Sequence, residues 1–327
     1  SPEGTINYKY DLVTGRKIRT WTANSDIRYS HDELGRLSTV TTIKQGGTVL
    51  DTPEMTAYAY NADGTRQAVL LPNDVMTTYQ YDDLNRLSTL THENGTGDLL
   101  AQYDYTVGPT GRRTAVTEQT RQPDHTLAET SISYTYDDLY RLTTEAYASA
   151  DLADMNFTTD YTYDTVGNRL EKDTTANQDG DPETVAYSYN ANDQLISETS
   201  DINGTTTYAY SANGEMIAKS NPATGEEAAY TYNLQGRLST ASIRRTEENA
   251  AGNEAPVDIS ASYTYSVSGM RVGKTEQVTN LNTDQLFDNS RTYLTDPQNP
   301  TGYAQVFEEY DTTGLTKSYT IGDDVIS

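Results

Sequence analysis

Paired carboxylates, histidines and one acidic loop are the residues of this sequence whose types and spacing could do chemistry. Asp82–Asp83, Asp137–Asp138 and Asp323–Asp324 stand side by side, and two carboxylates facing a cleft can serve as acid and base on a glycosidic bond. These aspartates follow alternating, strand-like stretches, where an aspartate starts a turn by accepting from backbone amides, and capping is a sufficient role for them. His31, His92 and His125 are the three histidines, and none has a second histidine at zinc-ligand spacing. His31 stands where a tyrosine recurs elsewhere and reads as its replacement. The loop NQDGDPE, Asn177–Glu183, carries oxygen ligands at alternating positions, as calcium loops do. Asn177, Asp179 and Asp181 would be the ligands, although the glycine is out of EF-hand register, and an ordinary acidic turn is the competing reading. No nucleophile elbow, phosphate-cradling glycine loop or metalloprotease helix appears. We therefore expect no catalytic residue, and no cofactor other than calcium.

The composition narrows the classes further. The 327 residues hold 48 acidic and 23 basic side chains, a net charge of −25, which repels nucleic acid and acidic lipid. The acidity reads as a solvated surface, or more sharply as that of a chain secreted into salt water. There is no cysteine, so disulfides, thiol nucleophiles and cysteine-held metals are absent. No apolar run is long enough to cross a bilayer, and no signal peptide is visible. Aromatic surface is supplied by 27 tyrosines against three phenylalanines and one tryptophan, so a core built from it must find partners for many hydroxyls. The chain opens at SPEGTINYKY and stops within the strand-like YTIGDDVIS, and the expectation is a segment of a longer polypeptide.

What must position these residues is a repeat. It reads YKYDLVTGRKI from Tyr8, YSHDELGRLSTV from Tyr29, YAYNADGTRQAV from Tyr58, YQYDDLNRLSTL from Tyr79 and YDYTVGPTGRRTAV from Tyr103. It continues as YTYDDLYRLTTE from Tyr134, YTYDTVGNRLEK from Tyr161, YSYNANDQLISE from Tyr187, YAYSANGEMIAK from Tyr208, YTYNLQGRLSTA from Tyr230 and YTYSVSGMRVGK from Tyr263, with a looser unit from Tyr293.

Tyrosines at i and i+2 share one face of a strand. The paired positions are Tyr8 and Tyr10, Tyr58 and Tyr60, Tyr79 and Tyr81, Tyr134 and Tyr136, Tyr161 and Tyr163, Tyr187 and Tyr189, Tyr208 and Tyr210, Tyr230 and Tyr232, and Tyr263 and Tyr265, with Tyr29 preceding His31. Asp32, Asp82, Asp137 and Asp164 then open turns, and Gly35, Gly167, Gly214, Gly236 and Gly269 supply a positive φ. Alternation resumes with RLST or RLTTE. Each unit is one β-hairpin, and a lone hairpin needs neighbours to bury its face. Stacked units would align their tyrosines as ladders worth about 0.2–1 kcal/mol per cross-strand pair. The loops between units vary in length and are rich in Gly, Pro, Asn and acidic residues, as surface loops are.

The unit YxYDxxGRL, at Tyr29–Leu37, Tyr79–Leu87, Tyr161–Leu170 and Tyr230–Leu238, resembles the YD repeat of bacterial Rhs proteins, insecticidal toxin complexes and animal teneurins. The resemblance covers almost the whole chain, and Asn299–Ser327 is similar to the stretch upstream of the Rhs-associated core. It implies an all-β fold of tandem YD-repeat hairpins, spanning residues 1–327, in a continuous, curved or spiralling antiparallel sheet that forms a shell or solenoid-like wall. It also implies a secreted or cell-surface bacterial scaffold whose partners are the rest of its own chain and an enclosed toxin domain. The self-cleaving core and the cargo of toxin-bearing members are not in this sequence. Twelve hairpins, roughly 24 strands at about 4.8 Å each, would close into a ring too narrow for a folded domain of about 100 residues, so the piece reads as part of a larger wall. Two alternatives stand beside the shell. One is an adhesion or glycan-binding module that uses the loops or the tyrosine face. The other is a filament paired through sheet edges.

Overall fold

A computed structural model describes residues 4–175, 181–248 and 254–326. Among these residues, alternating Tyr, Thr and Val stretches form 26 β-strands, joined by tight turns, with one 3-10 turn at Ala153–Met155. The pairings described are antiparallel, and nearly all join consecutive strands. The chain is all-β, an antiparallel array of tandem hairpins. Eleven of the repeats each give one hairpin, from Asn7–Tyr10 with Lys17–Trp21 to Glu254–Tyr265 with Arg271–Asn280. The looser twelfth unit departs from the pattern. There Arg291–Asp296 and Gln305–Asp311 are joined by a longer loop, which holds Pro297 and Pro300 in place of the Asp-Gly-Arg corner.

Packing groups the chain into two compact units, Ser1–Tyr58 with Ser211–Ala218 and Gly225–Ser327, and Ala59–Tyr210 with Lys219–Thr224. In the second unit the face that carries the tyrosines is the packed one. Along Phe157–Tyr163, Glu183–Tyr189 and Gly204–Tyr210, both tyrosines are half-buried and the residue between them is exposed. The residue two before the first tyrosine is fully buried: Thr77, Thr159, Val185 and Thr206. Because that row is mostly threonine, hydroxyls meet one another or a nearby polar group. Thr159 Oγ1 lies 3.1 Å from Thr174 Oγ1, and Asn221 Nδ2 donates to Thr206 Oγ1 at 3.1 Å.

The first unit has a larger apolar centre. Ile27, Tyr29, Leu37 and Val40 from the N-terminal hairpins meet Phe307 and Ile321 from the C-terminal stretch, with Ile6, Tyr58 and Ile326 against them. Ile27, Val40, Phe307 and Ile321 are at most 1% exposed. A smaller cluster of Val257, Ile259 and Val278 lies on the long hairpin further along.

Candidate functional site

Two arrangements of side chains recur or stand out: the corner of every repeat, and a buried polar clasp where the ends of the described chain meet.

The corner is built from the sequence Asp-x-x-Gly-Arg. At Asp82 the carboxylate Oδ1 accepts from the amides of Leu84 and Arg86 at 2.9 Å, while Oδ2 accepts from Arg86 Nε at 2.6 Å. Asp137 repeats this with Leu139 and Arg141, and Asp32 takes both the amide and Nε of Arg36. Asp164 accepts from Val166, Gly167 and Asn168. The amide of Arg86 above all, aided by its guanidinium, holds the Asp82 carboxyl below its ordinary range, and Arg141 does the same for Asp137. Backbone bonds complete a type I turn with a bulge at the second tyrosine, seen as register shifts at Gln80/Tyr81, Thr162/Tyr163 and Thr231/Tyr232.

The fourth corner position carries a positive φ. Gly35, Gly167, Gly214, Gly236 and Gly269 hold it at 84°, 101°, 88°, 71° and 91°, while Asn85, Tyr140 and Asp193 adopt it without glycine. At Gly35 and Gly269 a Cβ would also push aside the guanidinium of Arg16 or Arg237 from the preceding repeat.

That intrusion shows what the arginine does. Arg86 Nη1 donates to Gly108 O, and Arg141 Nη1 to Asp164 O at 2.8 Å, each a carbonyl in the next corner. Arg141 also lies 4.8 Å over the ring of Tyr163, Arg237 lies 5.8 Å over Tyr265, and Arg112 lies 3.8 Å over Tyr140. The second tyrosine reaches back. Tyr81, Tyr136, Tyr163, Tyr210, Tyr232 and Tyr265 donate their phenol protons to the carbonyls of Arg66, Arg113, Leu142, Leu195, Met216 and Leu238, the first strand residue after the preceding corner. The corner arginine and the second tyrosine thus fasten neighbouring repeats from opposite directions.

The rings of some first tyrosines meet arginine. Where the return strand opens with arginine, its guanidinium is interleaved: Arg169 lies 4.7 Å from the Tyr161 ring and 5.8 Å from that of Tyr187. Arg271 sits 5.6 Å from both Tyr263 and Tyr293. These cation–π contacts are favourable because half-buried phenols offer electron-rich faces to a charge that remains partly hydrated.

Tyr8 and Tyr10 reach the C-terminal stretch. Tyr8 donates to Asp296 Oδ1 at 2.7 Å and Tyr10 to Gln298 Oε1 at 2.6 Å. Asp296 and Glu308 are fully buried. Glu308 Oε1 accepts from Thr22 and Ser25, and Oε2 from Tyr310, whose hydroxyl also takes a proton from Asn24 Nδ2. Lys17 Nζ donates to Gln298 O at 2.6 Å, lies 3.9 Å from Asp296 Oδ2, and faces the rings of Tyr8 and Tyr29. Burial pushes the phenols of Tyr8 and Tyr29 well above the ordinary range. The Glu309 carboxylate, bonded by Tyr319, pushes that phenol up to about 12.

Sequence reasoning missed this clasp. The only trace in the sequence was the failure of the twelfth repeat to keep the corner pattern, together with phenylalanine at 307 where tyrosine is the rule.

Among the described residues the remaining candidates stand apart from one another. Asp83 and Asp138 are exposed beside their capping partners, and Asp324 Oδ1 accepts from the Val325 amide. His31 occupies its tyrosine position, with its ring held below the ordinary range by burial and by nearby Arg16. His92 Nδ1 lies 2.9 Å from Thr77 Oγ1, and His125 sits at a positive-φ turn. Asn177 and Asp179 lie outside the described residues, and Asp181 is exposed. Among the described residues no three His, Asp or Glu side chains are grouped to hold a metal.

Comparison with known proteins adds to this geometry. The RHS Repeat model matches residues 57–96 and 189–226. Those two stretches match the RHS Repeat family. Across 97% of its length it is similar to the crystal structure of TcdB2-TccC3-Cdc42, with TM-score 0.53 and 15% identity. It is also similar over 96% of its length, with TM-score 0.43 and 14% identity, to the Photorhabdus luminescens Tc holotoxin pore bearing the mutation TccC3-D651A. The first likeness shows a shared fold. The chain spans 18% of the length of each of these two solved chains. No curated protein matches it in sequence.

Proposed function

We propose that this chain is a wall segment of an Rhs-like shell, secreted or displayed at a bacterial cell surface. It serves as scaffold rather than catalyst, within a longer polypeptide that encloses a toxin or other cargo. The observation that supports this most is the two-way fastening of repeat corners by arginine and tyrosine, which can be continued from repeat to repeat without a special end. The shared fold with TcdB2-TccC3-Cdc42 supports it as well. Negative-stain electron microscopy of the full-length polypeptide that contains this segment tests it. Hollow particles with interior density are expected. Fibres or thin strips without a lumen would overturn encapsulation and favour filament assembly through sheet edges.

One observation favours a second reading, an extracellular contact module. The corners present bare apolar side chains, with Leu84, Leu139 and Val166 in one unit and Leu34, Leu234 and Val267 in the other about 70% exposed or more. Glycan stacking on the repeat tyrosines is less favoured, since their faces are partly taken by guanidinium groups. Binding to cells that is lost when these leucines become serine, with particles unchanged, would select the contact reading.

A further inference from the structure

The most unusual pair of groups in the first unit is Lys17 and Asp296. Asp296 is 0% exposed, and only one of its oxygens is satisfied. Oδ1 accepts twice, from the Tyr8 phenol at 2.7 Å and from the Gln298 amide at 2.8 Å. Oδ2 accepts from no group. Its neighbour is Lys17 Nζ at 3.9 Å, too far to hydrogen-bond. A buried carboxylate oxygen without a donor is costly and calls for an explanation. Burial also lowers the affinity of the Lys17 amine for its proton, in a site walled by the Tyr8 and Tyr29 rings.

We infer that Lys17 and Asp296 are reactants, and that they join in an intramolecular amide bond tying the first hairpin to the C-terminal stretch. The ammonium passes one proton to Oδ2, and the neutral Nζ attacks Cγ. The negative charge that develops on Oδ1 is held by the Tyr8 hydroxyl and the Gln298 N–H, two donors already in place, as in an oxyanion hole. Collapse of the adduct breaks the Cγ–Oδ2 bond, and Oδ2 leaves as water with a second proton from Nζ. The product needs no oxidant or other reactant. It also resolves the orphaned oxygen: the amide carbonyl keeps its two donors, the amide N–H keeps Gln298 O as acceptor, and the atom without a partner is gone. A simple ion pair would leave Oδ2 buried and unbonded.

Mass spectrometry of the purified chain tests this. The intact mass is expected about 18 Da, one water, below the sequence value, and peptide mapping should recover a branched peptide joining Lys17 to Asp296. Lys17→Arg and Asp296→Ala should each restore the full mass. Dehydration at Asp63–Gly64 gives the same mass change by cyclising on the backbone, so the branched peptide decides. Asp296 cannot take that route, because Pro297 lacks an N–H. Tyr8→Phe keeps the ring and removes one donor to Oδ1, so the branch should accumulate more slowly in samples taken at intervals after synthesis. A folded chain, with its β signature intact by circular dichroism, that retains full mass and free Lys17 and Asp296 after prolonged incubation overturns the inference. That result is readable on the unaltered chain even if a variant fails to fold.

Discussion

The repeat corners of Ala59–Tyr210 and the clasp of the first unit solve the same problem by opposite means. Both must give partners to phenols and charges on a chain poor in apolar residues. The corners do so at the surface, where the Arg141 and Asp137 side chains are about a quarter exposed and each bond is repeated. The clasp does so in the interior, with Phe307, Glu308 and Asp296 sealed from solvent. Repeated surface bonds tolerate the loss of one member, because water replaces it. Buried ones do not, because an abandoned donor or acceptor keeps its full desolvation cost. The clasp should therefore be fragile to single substitutions and the corners robust.

Phe307→Ala carries the largest expected effect. It opens a cavity among Ile27, Val40 and Ile321 and should cost about 3–5 kcal/mol in denaturant unfolding. A loss under about 1 kcal/mol would show that the clasp is not a packed core. Glu308→Leu leaves the hydroxyls of Thr22, Ser25 and Tyr310 without their acceptor, and a cost of about 3 kcal/mol is expected. Arg141→Ala removes a bond within its own corner, a bond to the next, and a stack on Tyr163. About 1–2 kcal/mol should be lost, with faster amide exchange confined to the corners at Asp137 and Asp164. Tyr163→Phe deletes only the bond to Leu142 O and should cost about 1 kcal/mol. If Tyr163→Phe proved as damaging as Phe307→Ala, the distinction between the two regions would fail.

Acid and alkali sharpen the same contrast. Asp82 and Asp137 have folded-state pKa values below the unfolded one, so their contribution is present above about pH 4 and lost as pH falls through the folded value. Amide exchange should rise first at the corners on acidification. Tyr319 has its pKa raised to about 12. Its contribution is complete below the unfolded value of about 10 and is lost as pH rises through the folded one, with Tyr8 and Tyr29 shifted in the same direction. Tyrosinate absorbance followed alongside unfolding should show the clasp giving way last among the phenols. A chain that unfolds in a single step near pH 10 would remove that ordering.

Much of this was legible in the residues. Alternating tyrosines such as Tyr161 and Tyr163, followed by Asp164 and Gly167, specify strand, turn and strand by local rules, since pleat period, Asx capping and positive φ depend only on near neighbours in the chain. That the corner aspartates accept from backbone amides was legible for the same reason. What the arginines and second tyrosines bond to was not legible, because those partners lie one repeat away and their identity, a carbonyl oxygen, is common to every residue. That Arg169 and Arg271 place guanidinium groups between tyrosine rings was not legible either, because such neighbours are known only after the strands pair.

The sequence by itself determined the hairpins, their corners and the all-β class, because those follow from contacts a few residues apart. Only the tertiary structure decided that Tyr8, Lys17 and Ser25 would meet Asp296 and Glu308 across most of the chain. Bringing such distant segments together depends on the summed packing of everything between them, and no local pattern encodes that sum.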